Sequence, residues 1–572
     1  MAIVTITANL NGGDAVTPNE DLTYKIYDYD EPRLINSTGS ANTDANVSVI
    51  GDVVEIINFD IGAATEIQIS CTNQFGQESV LSDVFTFAPP STNYYVRPTG
   101  QTYGTGDGTS YANAWSGFTN IDWSVLDGET LAICGTHNEK LIVSQDNLTI
   151  IGNDVNESGV IDAQDSINNA VDVVSQANFT INDIVIENAT ISNINSDGTT
   201  TATSNNLTLR GSGNQGIQHY GQSQWTHNDI ICENNTDDGV STHDDANVTI
   251  NRGTFSNNSE GIAVVNDSSV TANDIVNFSG NGVDFTSATT GSVTINNCTT
   301  SNTIRTRNGS TTIINDSNVQ QIDNSSNSDI STIQINNTIV NGLIDTKNSN
   351  SLITANGCLI LEEMSPNTSM VMEDCYYKPQ TSSSDTGNIT ANRCLFDGDG
   401  STDHILDLEA DSNMNITNSV FANIPSGKYS IVLRGGTSSV DFDNNTLVGN
   451  GSTTNGVFVS GGASYTLNNN ILIDLNSVDN NTGFTYNNCC IFNNNNTPNG
   501  TENNTISADP LLTDTANKDF SLGVGSPCIG AGVTTSNADG IDTAIWGNGI
   551  DELPSVTSKT QNAPFDVGAY VN

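Results

Sequence analysis

Between residues 148 and 488 one short pattern of apolar and polar positions recurs sixteen times. Each copy has a few alternating strand-forming residues, a polar corner dominated by Asn, and then another strand. Clear copies are VTINRG at Val248, VTINNC at Val293 and FTYNNC at Phe484, and a weaker one begins at Leu207. Successive copies begin 17 to 31 residues apart, mostly near 20, which is typical of a solenoid whose units pack only against their neighbours. The pattern therefore predicts one long solenoid domain.

The residues inside the repeat indicate which solenoid it is. They are mainly Val, Ile, Thr, Asn, Ser and Gly with a period of two, so the turns consist of strands rather than helices. Three short parallel strands per turn predict an all-β fold, a right-handed parallel β-helix. Asn suits the corners because it tolerates the left-handed backbone and its amide can bond the equivalent amide one turn away. We therefore expect ladders of stacked Asn side chains.

The two ends of the chain differ from the repeats. Residues 1–90 contain alternating segments at sandwich-like spacing and end in Pro89-Pro90, which predicts a small immunoglobulin-like β-sandwich for attachment or spacing. Because an uncovered solenoid end exposes apolar core and strand edges, we expect a cap on each side of the β-helix at 148–505. The predicted caps are 91–147, with a short amphipathic helix in YANAWSGFTNI, and 506–572.

The charge of the chain limits its partners. The formal net charge is -50, from 65 Asp and Glu against 15 Lys and Arg, which disfavours nucleic acid and anionic membranes. Polyanionic glycans would need bridging Ca²⁺, whereas neutral glycans are compatible with this surface; solubility alone also accounts for the charge. The first residues lack the basic and apolar regions of a secretion leader, and no apolar run reaches about 18 residues. These features disfavour classical secretion, so the expected location, on a virion surface or outside the cell, implies release by lysis, a leaderless export route or a leader already removed.

Five cysteines share one place in the repeat, directly after the Asn corner. Their common position predicts a stack on the inner face, where free thiols serve as small apolar side chains rather than as bridges or metal ligands. The five are Cys298, Cys358, Cys375, Cys394 and Cys489. Cys490 follows Cys489 on the same strand and is expected to face outward.

The segments at both ends of the β-helix resemble a known superfamily. The segment from Tyr94 has a Tyr-Tyr-Val strand, a Gly-rich loop, an Asn-Ala-Trp motif and an Asp-Gly-Glu turn. The other end contains Asp509-Pro510, Ser526-Pro527-Cys528 and Asp566-Val567-Gly568-Ala569-Tyr570. Over residues 94–572 the chain is similar to pectate-lyase-like right-handed β-helix proteins. That superfamily includes polysaccharide lyases, glycoside hydrolases and phage tailspikes, so the resemblance implies the fold and a glycan partner without deciding the activity.

One acidic cluster, ENNTDDGVSTHDD at residues 233–245, is the candidate catalytic site. A glycoside hydrolase needs a pair of carboxyl groups, one of them kept protonated by its surroundings. The candidates are Asp237, Asp238, His243 and Asp244, and the Asp-Asp-Gly resembles the paired aspartates of polygalacturonase-type β-helix hydrolases. The alternative is an ordinary turn with a structural glycine, because later repeats have Glu260-Gly261 and Asn281-Gly282 at the equivalent place. Lyase chemistry is disfavoured because basic residues are scarce.

A second acidic segment, DGDGSTDHILDLEAD at residues 397–411, offers oxygen ligands at Asp397, Asp399 and Asp403. Their spacing is compatible with Ca²⁺, although no cofactor is required, and the alternative is a solvated acidic loop.

Together these features favour a virion appendage, a phage tailspike or fibre that presents a rigid β-helix to host surface glycans. Its expected partners are host cell-surface polysaccharide and, through the N-terminal domain, other virion proteins, and similarity to tailspikes implies a homotrimer. The alternatives are a carbohydrate-active β-helix enzyme, a hydrolase rather than a lyase, and a bacterial surface adhesin.

Overall fold

The computed structural model describes most of the chain from residue 94 onward and parts of the first 93 residues. The ranges described are 3–9, 22–28, 33–38, 46–50, 53–60, 66–73, 79, 85–86 and 94–572, the last without 325–329, 347–350, 367–368, 381–382, 386–387, 409–411, 435–438, 452, 461–463 and 481. The chain forms two compact units, Met1–Thr92 and Asn93–Asn572.

The first unit consists of two antiparallel sheets. One has the strand order Ile3–Asn9, Val53–Asp60, Val47–Ile50, and the other has the order Arg33–Ser37, Thr23–Asp28, Glu66–Thr72, Phe85–Thr86. Apolar residues on these strands, among them Tyr24, Ile26 and Ile67, are buried. The described residues of this unit are therefore all in strands or short connections, and its immunoglobulin-like topology stays a prediction.

The second unit is a parallel β-helix, so the predicted fold is confirmed. Sheet 1 contains two ladders of parallel strands. The first consists, in spatial order, of Trp115–Ser116, Tyr94–Arg97, Thr130–Ile133, Thr149–Ile151, Phe179–Asn182, Thr201–Asn205, Gln224–Glu233, Asn247–Ser256, Ser269–Asn273, Ser292–Asn296, Thr311–Asn315, Thr332–Asn336, Leu352–Asn356, Ser369–Glu373, Asn388–Asn392, Met414–Thr417 and Val440–Asp443. The second consists of Gly135–His137, Gly159–Asp162, Val185–Glu187, Thr208–Arg210, the later halves of the long strands Gln224–Glu233 and Asn247–Ser256, and Asn277–Ser279. A three-stranded sheet, Tyr465–Asn468, Phe484–Asn487 and Thr501–Asn503, follows the last strand of the first ladder.

Two further sheets complete the turns. Sheet 2 consists of Leu141–Val143, Asn169–Val174, Ser192–Asp197, Gln215–His219, Asp238–Thr242, Glu260–Val265, Val283–Ala288, Thr303–Thr306, Gln321–Asn324, Ile344–Thr346 and Met364–Pro366, followed by Ser383–Asp385, Leu406–Leu408, Tyr429–Arg434, Asn455–Ser460 and Ser477–Asp479. Sheet 3 consists of Asn318–Val319, Ile339–Val340, Leu359–Ile360, Tyr376–Tyr377, Leu395–Asp397, Val420–Ala422, Thr446–Val448, Ile471–Ile473 and Cys490–Phe492.

The corners of sheet 1 contain the predicted Asn ladder. Eight Asn side chains stack, and each Nδ2 donates to the Oδ1 of the preceding one at 2.7–2.9 Å; they are Asn182, Asn205, Asn228, Asn251, Asn273, Asn296, Asn315 and Asn336. The residue after each has left-handed φ, for example 54° at Asp183 and 55° at Asp229. The ladder corrects one predicted repeat, because the strand in register there is Thr201–Asn205, whereas Thr208–Arg210 after Leu207 pairs with Val185–Glu187.

The interior is one continuous apolar core, and the predicted thiol stack lies in it. All five stacked cysteines are buried and free, as predicted. Cys490 is also buried, although it lies on the other side of the strand from the main core, as expected. The C-terminal segment covers it in a second apolar cluster with Cys528 and Val567.

The first turn is closed without the predicted amphipathic helix. Between Tyr94 and Leu148 the chain forms three 3-10 helices, Tyr111–Asn113, Phe118–Asn120 and Trp123–Val125, and no α-helix. Gly117, with a φ of 81°, interrupts the segment in which the helix was expected. Trp115, Phe118 and Ile121 still join the apolar core, so the capping contacts form through these short turns.

The C-terminal segment consists of two antiparallel strand pairs and one 3-10 helix. The pairs are Leu512–Asp514 with Asp519–Leu522 and Asp539–Ile545 with Ser555–Thr560, and the helix is Thr515–Asn517. Trp546, Ala569 and Tyr570 pack against sheet 3 residues in a buried cluster. Among the described residues, no helix has the length and apolar character needed to cross a membrane.

Candidate functional site

The candidate catalytic cluster lies on the outer face of sheet 2. Strand Asp238–Thr242 lies between Gln215–His219 and Glu260–Val265, and Val240 is in register with Ile217 and Ile262, which are buried in the core. Asp238 is the first residue of this strand and not part of a turn. Its neighbour Gly239 is structural, as the alternative interpretation predicted, because an added Cβ would lie 2.6 Å from the carbonyl oxygen of Gly261.

Asp238 is a buried carboxyl group in an electronegative setting. Only 7% of the residue is exposed, and this burial raises its pKa to about 7. The charges of Asp237 and Glu260 act in the same direction, whereas hydrogen bonds with Ser241 and Gln215 oppose the shift. A fraction of Asp238 therefore keeps its proton near neutral pH, as a general acid must.

Gln215 connects the turn below to this carboxyl pair. Its Nε2 donates to Oδ2 of Asp237 at 3.4 Å, and Asp237 itself is exposed. The Oε1 of Gln215 is buried and has no hydrogen-bond partner within the described part of the chain. A ligand hydroxyl is the kind of group that would satisfy such an acceptor.

Glu260 is a second carboxylate beside Asp238. The two residues are register partners on adjacent strands, which lie about 4.8 Å apart in a parallel sheet. Arg305 lies 3.7 Å from Oε1 of Glu260 through Nη1 and 3.3 Å from Oδ2 of Asp323 through Nε. Glu260 is thus ion-paired and partly exposed, in contrast to the buried Asp238.

His243 joins the same face through Ser241. The Ser241 Oγ lies 3.0 Å from Nε2 of His243, and the imidazole stacks on Tyr220 with ring centroids 4.8 Å apart. Burial lowers the pKa of His243, and the charge of Asp244 opposes that shift. Asp244 is exposed at the corner after the strand, with a φ of 57°. The structure therefore brings Asp237, Asp238 and His243 together and leaves Asp244 at the edge.

Sequence reasoning missed three members of this surface, Gln215, Glu260 and Arg305. Glu260 did leave a signal, because it occupies the position of Asp238 one repeat later. From the sequence alone, the same recurrence predicts a turn with a structural glycine. The parallel register shows that it places two carboxyl groups side by side.

The predicted Ca²⁺ ligands are not brought together. Oδ2 of Asp397 accepts a 2.5 Å hydrogen bond from the Tyr376 hydroxyl, while Asp399 pairs with Lys378 at 3.1 Å and Asp403 with Lys428 at 2.8 Å. Of the residues that the structure describes, no three His, Cys, Asp or Glu side chains form a group able to hold a metal ion. The Ca²⁺ prediction therefore has no support from this geometry, because separate lysine and tyrosine partners satisfy these carboxylates.

Comparisons with known proteins add two similar solved structures. No protein-family model matches the sequence, and no curated protein matches it. The chain is similar to the catalytic unit of a thermostable GH87 α-1,3-glucanase from Streptomyces thermodiastaticus strain HF3-3, with 14% identity, 79% of this chain and 87% of that chain covered, and a TM-score of 0.31. It is also similar to the Yersinia enterocolitica family 28 exopolygalacturonase, with 9% identity, coverages of 72% and 96%, and a TM-score of 0.21. Neither similarity is close enough to carry an argument about function.

Proposed function

We propose that this chain binds a polysaccharide across the outer face of sheet 2 and hydrolyses its glycosidic bonds. The observation that carries the proposal is the difference between two adjacent carboxyl groups. Asp238 is buried with a raised pKa, whereas Glu260 is partly exposed and ion-paired with Arg305. Two neighbouring carboxyl groups in such different environments suit the acid and the carboxylate of glycoside hydrolysis.

In this proposal Asp238 donates its proton to the glycosidic oxygen as the bond to the anomeric carbon breaks. Glu260 is the carboxylate that faces the developing positive charge or takes a proton from the attacking water. Water supplies the hydroxyl group to the sugar, so that no oxidant or metal is needed. Asp238 regains a proton at the end of the cycle, which its raised pKa favours near neutral pH.

The neighbouring side chains fit a sugar chain that lies along sheet 2. Tyr220 and His243 form a partly exposed ring pair, a surface against which the apolar face of a sugar can stack. Gln218, which is partly exposed, supplies a polar group at the same level. The net charge of -50 makes an uncharged polysaccharide the better substrate class, because a polyuronate would be repelled.

Reducing-end release from a panel of soluble glucans, galactans, mannans and polyuronates tests this function. We expect the wild type to cleave at least one uncharged member and Asp238→Asn to cleave it at least about 100-fold more slowly. Asp267→Asn is the matched control, since Asp267 is exposed in the turn after the Glu260 strand, and it should retain the wild-type rate. Absence of cleavage of every member, or full activity of Asp238→Asn, would refute hydrolysis.

Adhesion as part of a virion is the second candidate function. The observation that favours it is the separate compact unit Met1–Thr92, which gives the β-helix a module suited to attachment. In this proposal the partners are host cell-surface polysaccharide and, through that module, other virion proteins. Mass spectrometry of purified virions tests this role, and absence of the chain from particles would contradict it.

A further inference from the structure

A column of threonine hydroxyl groups runs along the outer face of sheet 1, away from the carboxyl groups of sheet 2. Seven threonines are register partners on successive turns; they are Thr149, Thr180, Thr203, Thr226, Thr249, Thr271 and Thr294. All are partly exposed, and none of the seven hydroxyl groups has a hydrogen-bond partner within the described part of the chain. The adjacent turns place these groups about 4.8 Å apart.

The face around this column carries no charge. The seven strands from Thr201–Asn205 to Thr332–Asn336 present three outward positions each, and all 21 are occupied by Thr, Ser, Asn, Gln or Ile. The whole chain has 65 Asp and Glu in 572 residues, so a surface of this size with average composition would carry two or more acids. We name these 21 positions the neutral face.

Four carboxylates at one border of the neutral face are held there by hydrogen bonds or an ion pair. They lie at the left-handed corners, where each is bonded to a side chain of the next turn. The pairs are Asp183 with Asn206, Asp229 with Arg252, Asp274 with Asn297 and Asp316 with Asn337. At this border, the negative charges are therefore bonded to neighbouring side chains.

The neutral face also contains a groove. A shallow cavity of about 480 Å³ crosses four turns and is lined by Thr180, Thr203, Thr226, Thr249, Gln224 and Asn247. In the Asn ladder beside the groove, each side-chain amide donates one N–H and accepts one hydrogen bond within the stack. Each amide therefore has a second N–H and a second lone pair available to a ligand. The groove therefore repeats hydroxyl and amide groups at the spacing of the turns, which matches an uncharged polymer rich in hydroxyl groups.

We propose that the neutral face is a second, non-catalytic binding surface that holds one chain of an uncharged polysaccharide along the axis of the β-helix. Unpartnered hydroxyl groups bond the sugar hydroxyl groups, and the absence of carboxylates removes the repulsion and desolvation that the rest of this acidic surface would impose. The surface does not depend on the proposed hydrolysis. It would keep a long polymer on the protein between cleavage events on sheet 2.

Affinity electrophoresis tests this surface directly. The Asp238→Asn protein, in which cleavage is expected to be strongly slowed, is run through gels containing soluble uncharged glucans, xyloglucan or galactomannan, and through gels containing polyuronate. We expect retardation by at least one uncharged polymer and none by polyuronate. Adding Thr203→Glu and Thr249→Glu should weaken the retardation at least tenfold, whereas Ser279→Glu, on the strand beyond the Asn corner, should leave it unchanged.

The double variant Thr203→Val with Thr249→Val keeps the β-branched shape and removes only the hydroxyl groups. It tests the surface even if the glutamate variants fold poorly, and we expect it to weaken the retardation as well. Unchanged retardation of both double variants, retardation by no uncharged polymer, or equal retardation by polyuronate would overturn the proposal. So would light scattering in which the glutamate variant dissociates an oligomer, because the face would then be a subunit interface. Cleavage of a polymer that does not retard the protein would contradict only the binding surface. Retardation by a polymer that is not cleaved would contradict only the proposed hydrolysis.

Discussion

Asp238 and Glu260 are register partners on adjacent turns of sheet 2, yet only Asp238 is buried, with 7% of the residue exposed against 22% of the Glu260 side chain. The solenoid creates this contrast. Each turn offers the same backbone position, and the flanking residues decide how much water reaches it. Burial raises the pKa of Asp238 to about 7, so this position differs chemically from its neighbour.

The first prediction concerns stability against pH. The folded pKa of Asp238, about 7, lies above its ordinary value of 3.8, so ionisation opposes folding. The folded state is therefore least affected below pH 4 and loses stability as the pH rises through 7. Asp238→Asn removes this loss and should raise the free energy of unfolding at pH 8.5 by up to about 4 kcal/mol.

Urea denaturation at pH 5 and pH 8.5 measures this effect. The gain in Asp238→Asn should be larger at the higher pH, and Asp267→Asn should show no such difference. An equal effect of Asp238→Asn at both pH values would mean that this carboxyl group titrates normally. A stability gain together with loss of cleavage would mark Asp238 as a residue kept for function.

The second prediction concerns the Asn ladder. Asn251 donates to Asn228 at 2.9 Å and accepts from Asn273 at 2.8 Å, so Asn251→Ala removes two side-chain hydrogen bonds in a partly buried stack. We expect a loss of about 1–2 kcal/mol in the free energy of unfolding. Asn277→Ala, at an exposed strand position, is the control and should stay within about 0.5 kcal/mol. Equal losses in the two variants would show that the ladder adds no stability.

The third prediction concerns the attachment of the C-terminal segment. The Arg393 guanidinium binds Asp374 and Glu373 and donates to the carbonyl oxygen of Asp539, which belongs to that segment. Arg393→Asn keeps a residue that tolerates the left-handed corner and removes the guanidinium. We expect a loss of about 2–3 kcal/mol, less than for a fully buried pair, and faster proteolysis within residues 506–572.

Arg252→Asn is the matched control for that variant. Arg252 is also left-handed and pairs with Asp229, but it lies on an earlier turn of sheet 1. It should cost less than about 1 kcal/mol and leave the cleavage pattern of the C-terminal segment unchanged. Identical proteolysis of both variants would contradict the role of Arg393.

The fourth prediction concerns the thiols. Nine of the ten cysteines are buried, and burial raises the pKa of Cys298 and Cys489 to about 12, so these groups stay protonated and unreactive at pH 8. Iodoacetamide should modify no cysteine of the native protein other than Cys71, which is partly exposed. In urea without reductant all ten should react, as peptide mass spectrometry would show. Fewer than ten would reveal a disulfide.

The fold could be predicted from the sequence because its signals are local. An Asn such as Asn251 favours the corner through its own amide, and alternation within VTINRG places Val248 and Ile250 inside without knowledge of distant residues. The capping helix was wrong because Gly117 adopts a left-handed φ that a periodicity argument does not register. The repeat assigned to Leu207 was wrong because only the register of the stacked turns shows that Thr201–Asn205 is the equivalent strand.

The site could be predicted only in part, since it depends on contacts between turns. Asp237 and Asp238 are adjacent in sequence, so the pair could be recognised there. Glu260 reaches Asp238 only through parallel register, and Arg305 reaches Glu260 from a later turn. The same limit explains the predicted Ca²⁺ ligands. Their sequence spacing predicts that Asp397 and Asp403 lie together. In the structure, a tyrosine hydroxyl donates a hydrogen bond to Asp397, and a lysine pairs with Asp403.

A crystal structure of Asp238→Asn with an oligosaccharide from the cleaved polymer tests the central claim most directly. The account predicts a sugar chain across the outer face of sheet 2, with a glycosidic oxygen within hydrogen-bond distance of residue 238 and the adjoining ring beside Glu260. Binding of the oligosaccharide elsewhere, with the surface of Asp238, Glu260 and His243 free of sugar, would contradict it.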